Sequence, residues 1–281
     1  MRSTAAAGRF YPSSEGSLRK ELERCFKKGP GRKSPSSGSS VLGMVSPHAG
    51  YTFSGPTAAR GFLKMADGGL PRTILFLGPN HTGMGKAVGM SDEDWRTPMG
   101  VMELDRELME MIDVPIDRSC HASEHSIEVQ MPFVQYFDTS VKQVSISMMD
   151  QSLKTSRKLG SMIGELLSSA RKKVAIVASS DFTHCGWAYG YPVPSDTTPG
   201  DFARSRDLPV IEKLKRLDLD GAFRKKEELG TTACGMGPIA VMVQVAKVLG
   251  AERMDLLDYT TSYDVDPSDL AVGYASMVVH G

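Results

Sequence analysis

No surplus of charge marks this sequence: Lys plus Arg and Asp plus Glu stand at 33 each, so no overall field draws it to nucleic acid or an anionic membrane. No run is long and apolar enough to span a bilayer, and the opening Met1-Arg2-Ser3-Thr4-Ala5-Ala6-Ala7-Gly8 lacks the apolar segment of a secretory signal. A cytoplasmic protein is expected. The four cysteines, Cys25, Cys120, Cys185 and Cys234, form no CxxC pair and are too sparse for a disulfide framework, so they read as thiols. No internal sequence repeat is visible. A chain of 281 residues with 41% hydrophobic content can bury a full core, and nothing in it suggests disorder or a fibre.

What is present is one phrase used three times. Val41-Leu42-Gly43-Met44-Val45-Ser46 runs into Pro47-His48-Ala49-Gly50-Tyr51. Arg72-Thr73-Ile74-Leu75-Phe76-Leu77 runs into Gly78-Pro79-Asn80-His81, and Val174-Ala175-Ile176-Val177-Ala178 into Ser179-Ser180-Asp181-Phe182-Thr183-His184. Apolar runs of this length, bounded by Pro and Gly, suit interior strands of an α/β sheet covered on both faces. The carboxyl ends of such strands form the ligand crevice, so the three His-bearing turns are expected to converge there.

The remaining pattern predicts an α/β protein: a single-domain, three-layer α/β/α sandwich over 1–281 with a mixed, mostly parallel central sheet. Leu18, Leu22 and Phe26 lie on one helix. Residues 29–40, rich in Gly, Pro and Ser, predict a flexible surface loop. Gly55-Pro56 marks a helix start, Trp95 to Gly100 a turn-rich connection with Trp95 in the core or at its rim, and Leu153 to Ala170 an amphipathic helix. Tyr189 to Gly200 reads either as a lid just beyond His184 or as an ordinary surface loop. Met254 to Ser262 and Leu270 to Val279 read as two strands with no helix between them, hence an antiparallel pair.

Two strand-end histidines, His48 and His81, suit a transition metal, since neutral imidazole serves iron, copper and zinc alike. Cys234 follows Gly230-Thr231-Thr232-Ala233 and precedes a helix expected over Pro238 to Leu249, where the helix dipole favours a thiolate. The alternative is a small buried thiol behind a glycine turn. Asp181 and His184, two residues apart between them, read as an orienting or acid-base pair, or else Asp181 caps the next segment. His121-Ala122-Ser123-Glu124-His125 spells the H-x-x-E-H of inverted zincins. That motif needs one continuous helix, whereas Ser123 as an N-cap and the nearby Pro132 argue for a short one. Glu124, His125 and Glu128 are instead expected to face the crevice, with Ile127 and Met131 buried.

Together Ser46-Pro47-His48-Ala49-Gly50-Tyr51, Gly78-Pro79-Asn80-His81, Glu124-His125-Ser126-Ile127-Glu128, Ser179-Ser180-Asp181-Phe182-Thr183-His184 and Thr232-Ala233-Cys234-Gly235 resemble the Memo family, protein B of the AmmeMemoRadiSam system in prokaryotes. Gly8-Arg9-Phe10-Tyr11-Pro12 and Gly273-Tyr274-Ala275 extend the resemblance over nearly the whole chain. It implies a fold similar to class III extradiol dioxygenases and a metal held by His48, His81 and Cys234. Cys stands where extradiol enzymes carry Glu, which puts ring cleavage itself in doubt. Cys185-Gly186 also departs from the aromatic that commonly follows the histidine of the Ser-Ser-Asp-Phe-x-His motif. The leading expectation is an iron(II)- or copper-dependent redox or oxygenase-type enzyme, with His184 as acid-base group, Asp181 orienting it, and Glu124 or His125 on substrate. A peptide- or protein-binding adaptor and a Cys234 nucleophile with a histidine base are the other readings. A small-molecule or peptide ligand and radical-SAM partner proteins of that system are the implied partners.

Overall fold

The computed structural model describes residues 1–29, 40–169 and 173–281; the loop expected over 29–40 falls almost entirely outside them. Helices α1 (Glu15–Lys28) and α2 (Tyr51–Asp67) bracket strand β1 (Val41–Ser46). Then come β2 (Thr73–Pro79), β3 (Val88–Met90), β4 (Trp95–Thr97), β5 (Gly100–Met102), α3 (Arg106–Met111), α4 (Met131–Phe137), β6 (Lys142–Met148), α5 (Leu153–Ser169), β7 (Val174–Ser179) and β8 (His184–Cys185). The chain continues through α6 (Pro199–Lys215), α7 (Leu219–Leu229), α8 (Met236–Val248), β9 (Met254–Thr261), the single turn α9 (Ser262–Val265) and β10 (Ala271–His280).

The main sheet has the order β3-β6-β2-β7-β1-β10-β8, with β9 also paired to β10. Its middle strands β6, β2, β7 and β1 run parallel, while β3 and the β10 group are antiparallel. Residues alternate between two cores, as a pleated strand buried on both faces requires. Leu75 and Leu77 of β2 with Ile176 and Ala178 of β7 point to α5 and α8, whereas Ile74, Phe76, Ala175 and Val177 point to α1, α2 and α4. This is the expected α/β/α sandwich with a mixed, mostly parallel sheet. The predicted antiparallel pairing of the last two strands is present, from Thr261 opposite Gly273 to Met254 opposite Val279, with the single turn α9 in between.

Several local expectations need correction. Helix α2 starts at Tyr51 rather than at Gly55-Pro56: Phe53 and Ser54 both donate to Gly50 O, so the helix begins as soon as the His48 turn ends, and Pro56 sits inside it. Trp95 to Gly100 is a β4-β5 hairpin because Trp95, fully buried, packs as a strand residue beneath Arg2. Helices α6 and α7 fill a region in which the sequence signalled no element.

Candidate metal centre

Strand order decides where the chemistry lies. β7 is flanked by β2 and β1, so the turns that follow these three strands open onto one cleft. His48 stands two residues beyond β1 and His81 two beyond β2. His125 joins them from the irregular segment ahead of α4. Its ring centroid is 5.4 Å from His48 and 4.9 Å from His81, and His48 and His81 are 5.2 Å apart. One ligand nitrogen from each of the three lies within 4.8 Å of the others. Gly78 permits this approach, since a Cβ there would meet Ser126 Oγ at 2.6 Å and Ile127 Cγ1 at 2.7 Å.

Hydrogen bonds dictate which nitrogens face inward. Ser179 Oγ donates to Ser126 O at 2.6 Å and accepts from Gln130 Nε2 at 2.9 Å. Its one proton is thereby used, so His48 Nδ1, 2.8 Å away, must donate to it. Nε2 of His48 is left as a bare lone pair. Glu124 fixes the other two rings: Oε1 is 3.0 Å from His81 Nδ1 and 3.3 Å from His125 Nδ1, and the carboxylate also accepts from the backbone N–H of His81, His125 and Ser126. A carboxylate that accepts at Nδ1 leaves Nε2 as the metal-facing atom. Burial acts to raise the Glu124 pKa, but the hydrogen bonds from His125 and His81 outweigh it and hold the carboxyl well below the usual range. His48 is kept neutral, first by burial and then by the neighbouring His125 and His81. Three imidazoles converging in this way fit a divalent transition metal, which binds the ring nitrogen through its lone pair.

Cys234 reaches the same place. Its Sγ is 3.2 Å from His48 Nε2, because the turn before α8 packs on the end of β7 at Gly235, where a Cβ would meet Ser179 O at 2.3 Å. The thiolate expected from the helix dipole is corrected: burial, then Asp181, raise the Cys234 pKa, so the metal-free group is a thiol. A bound cation reverses that balance, since a coordinating thiol loses its proton.

A family model described as Memo-like protein matches residues 2–278. The chain belongs to the Memo family. It is 40% identical over 286 residues to a MEMO1 family protein of Methanosarcina barkeri, covering 99% of this chain and 100% of that one. A MEMO1 family protein of Methanopyrus kandleri is 40% identical over 289 residues, covering 99% and 98%. The crystal structure of an uncharacterized Escherichia coli K12 protein superposes with TM-score 0.54 at 15% identity, covering 85% of this chain and 99% of that one, which shows a shared fold alone.

In this Memo family chain the cleft above the histidines measures about 540 Å³ and is walled by Phe10, Phe53, Asp181, His184, Tyr189 and Tyr274. His184 therefore shares the cleft but lies outside the three-histidine cluster. Its ring contacts Tyr189, centroids 5.2 Å apart, and of the segment proposed as a lid only Tyr189 borders the cleft among the described residues. Asp181 does not cap the next segment: Oδ1 accepts from His48 N at 2.8 Å and Oδ2 lies 4.0 Å from His48 Nε2. Its hydrogen bond goes to the His48 turn, and burial raises its pKa. Glu124 faces the histidines and His125 stands among them, with Phe10 stacked on its outer side at 4.2 Å.

Two readings of the Glu124 segment fail. His121 and His125 do not share a helix, because residues 118–127 are turns and irregular chain and the 3-10 turn Glu128–Gln130 follows. His121 is buried against Gly89 O and Trp95, away from the cluster, so the zincin motif is coincidental. Glu128 faces away from the crevice and is wholly buried beneath the N-terminal arm, where it binds Arg2. A larger groove of about 960 Å³ at the amino ends of β2 and β6, lined by Arg72, Asp105 and Lys142, contains none of the site residues.

Proposed function

We propose that this Memo family chain is a metal-dependent redox or oxygenase-type enzyme acting on a small molecule, with iron(II) as its ion and copper as the second choice. The observation that carries the reading is the convergence of His48, His81 and His125: one ring nitrogen of each lies within 4.8 Å of the others, while Nδ1 of His48 and of His81 is hydrogen-bonded to Ser179 and Glu124 and Nδ1 of His125 lies 3.3 Å from Glu124. Structural histidines in a core have no reason to share that arrangement. With Cys234 beside them, the donors are nitrogen and a soft sulfur, a set that suits iron and copper. Such an ion, when bound, supplies one-electron redox chemistry and Lewis acidity.

The chain's own residues supply the rest. Glu124 and Ser179 hold the rings, Asp181 holds the His48 turn, and the cleft of about 540 Å³ has the volume for a small-molecule substrate rather than an extended peptide. Phe10, Phe53, Tyr189 and Tyr274 give it aromatic walls against which an apolar part of a substrate can pack. His184, in that cleft but outside the cluster, accepts or returns a proton at its ring. The test is metal analysis of protein purified without oxygen, beside oxygen uptake by the Fe(II)-reconstituted chain with a reductant or candidate phenols. Stoichiometric iron or copper lost on His48→Ala or His81→Ala, with compound-dependent uptake, supports the reading. Metal that survives both changes, or no uptake with any compound while peptides bind the cleft, overturns it in favour of the adaptor.

A further inference from the structure

The N-terminal arm is tied to the loop that carries Glu124 and His125 by a buried set of hydrogen bonds. Glu128 is wholly buried, and its two oxygens receive four donors: Arg2 Nη1 at 2.6 Å and Ala5 N at 2.7 Å on Oε2, Ala6 N at 2.9 Å and Tyr11 Oη at 2.5 Å on Oε1. Arg2 is 4% exposed; besides a 3.2 Å bond from Nη1 to Ser3 O, it donates twice more to the same loop. Nε donates to His121 O at 2.7 Å and Nη2 to Glu124 O at 2.6 Å, while the guanidinium lies 4.0 Å from the centre of the Trp95 ring. The two carbonyls that Arg2 grips bracket the turn closed by Glu124 N on His121 O. On its far side the arm lays Phe10 on the His125 ring and accepts Tyr51 N at Phe10 O, next to the His48 turn.

An ion pair buried this deeply contributes little net attraction, since desolvation offsets much of it. What the planar fork does provide is geometry: several bonds at fixed angles to one short loop. That loop has no helix or strand of its own to set its shape. We infer that Arg2 and Glu128 are positioning residues for the histidine cluster, acting through the Glu124 backbone to fix the carboxylate that orients His81 and His125. The Glu124 carboxylate moves with its own carbonyl, and His125 follows in the next residue. A loosened clasp leaves the fold intact but spreads the three Nε2 atoms. The binding arm of the test rests on the metal reading proposed above; a second arm, on metal-free protein, does not.

The experiment uses the full chain with Co(II) as probe and the variants Arg2→Lys and Glu128→Gln, with Leu108→Ala in α3 as a destabilised control outside the cleft. Lysine keeps the charge opposite Glu128 but cannot hold both carbonyls. Both clasp variants should bind Co(II) about 10- to 100-fold more weakly, the usual cost of losing a partner that orients a ligand, with an altered visible spectrum. In metal-free protein the His125 ring resonances should move in both. Leu108→Ala should lose thermal stability yet keep Co(II) affinity and the His125 resonances. A folded Arg2→Lys chain with wild-type affinity and unmoved His125 resonances overturns the inference, as does a control that loses affinity in step with its stability. If Glu128→Gln does not fold, Arg2→Lys decides. If the wild-type chain takes up no Co(II), the metal reading fails and the His125 resonances alone decide the clasp.

Discussion

Cys234 Sγ lies 3.2 Å from the Nε2 lone pair of His48 that Ser179 leaves exposed. A protonated thiol at that spot must lose its proton if it is to bind the ion that His48 binds. Calorimetry of Co(II) binding at neutral pH, run in buffers of different ionisation enthalpy, should therefore report about one more proton released by the wild-type chain than by Cys234→Ser. Equal release would place the sulfur outside the coordination sphere and leave the three histidines as the complete set. The metal-free thiol should also alkylate slowly at neutral pH, since burial raises its pKa.

Glu124 is one carboxylate serving two imidazoles. Glu124→Gln should lower metal affinity by about 10- to 100-fold, because an amide has only one acceptor oxygen: with that oxygen kept on the Oε1 donors, its NH₂ opposes the His81 backbone N–H that Oε2 accepts. Chelator competition measures this. A variant with wild-type affinity would remove Glu124 from the site.

His184 should behave oppositely. His184→Ala is expected to keep metal occupancy while slowing compound-dependent oxygen uptake by about two to four orders of magnitude, the usual contribution of a positioned acid-base group. Loss of metal in step with activity would make His184 a ligand instead.

His121 predicts a pH dependence of stability. Burial pulls its pKa from 6.5 down to about 4. The unfolded chain therefore takes up this proton first as the pH falls, so the contribution is full above 6.5 and is lost between 6.5 and 4. Thermal unfolding of metal-free protein should show a falling midpoint across that window, and His121→Gln should flatten part of the fall. An unchanged slope in the variant would assign the whole effect to other groups.

The strand-to-turn phrase by itself determines much of this protein. Apolar runs that end in His48 and His81 can hardly be anything but buried parallel strands with their polar ends at a crevice, because only a sheet covered on both faces accepts such runs. The same reasoning made one histidine of each turn visible as a candidate. It left α6 and α7 unread, and it gave Glu128 the wrong neighbours, since spacing along a turn says nothing about which chain end will cover it.

What only the tertiary structure decided is the company each side chain keeps. Nothing local marks Ser179 as the acceptor that fixes the His48 tautomer, Gln130 as a second donor to its oxygen, or Arg2 as the clasp on the Glu124 loop. These residues lie 49 to 131 positions from their partners. His125 joined His48 and His81 for the same reason: a ligand held on an irregular loop has no period to announce it, and its direction is set by hydrogen bonds that form only when the loop, the sheet end and the N-terminal arm meet. The sequence could show which groups carry chemistry. Folding decided which of them face one another, because long-range hydrogen bonds, not local propensity, orient a buried polar side chain.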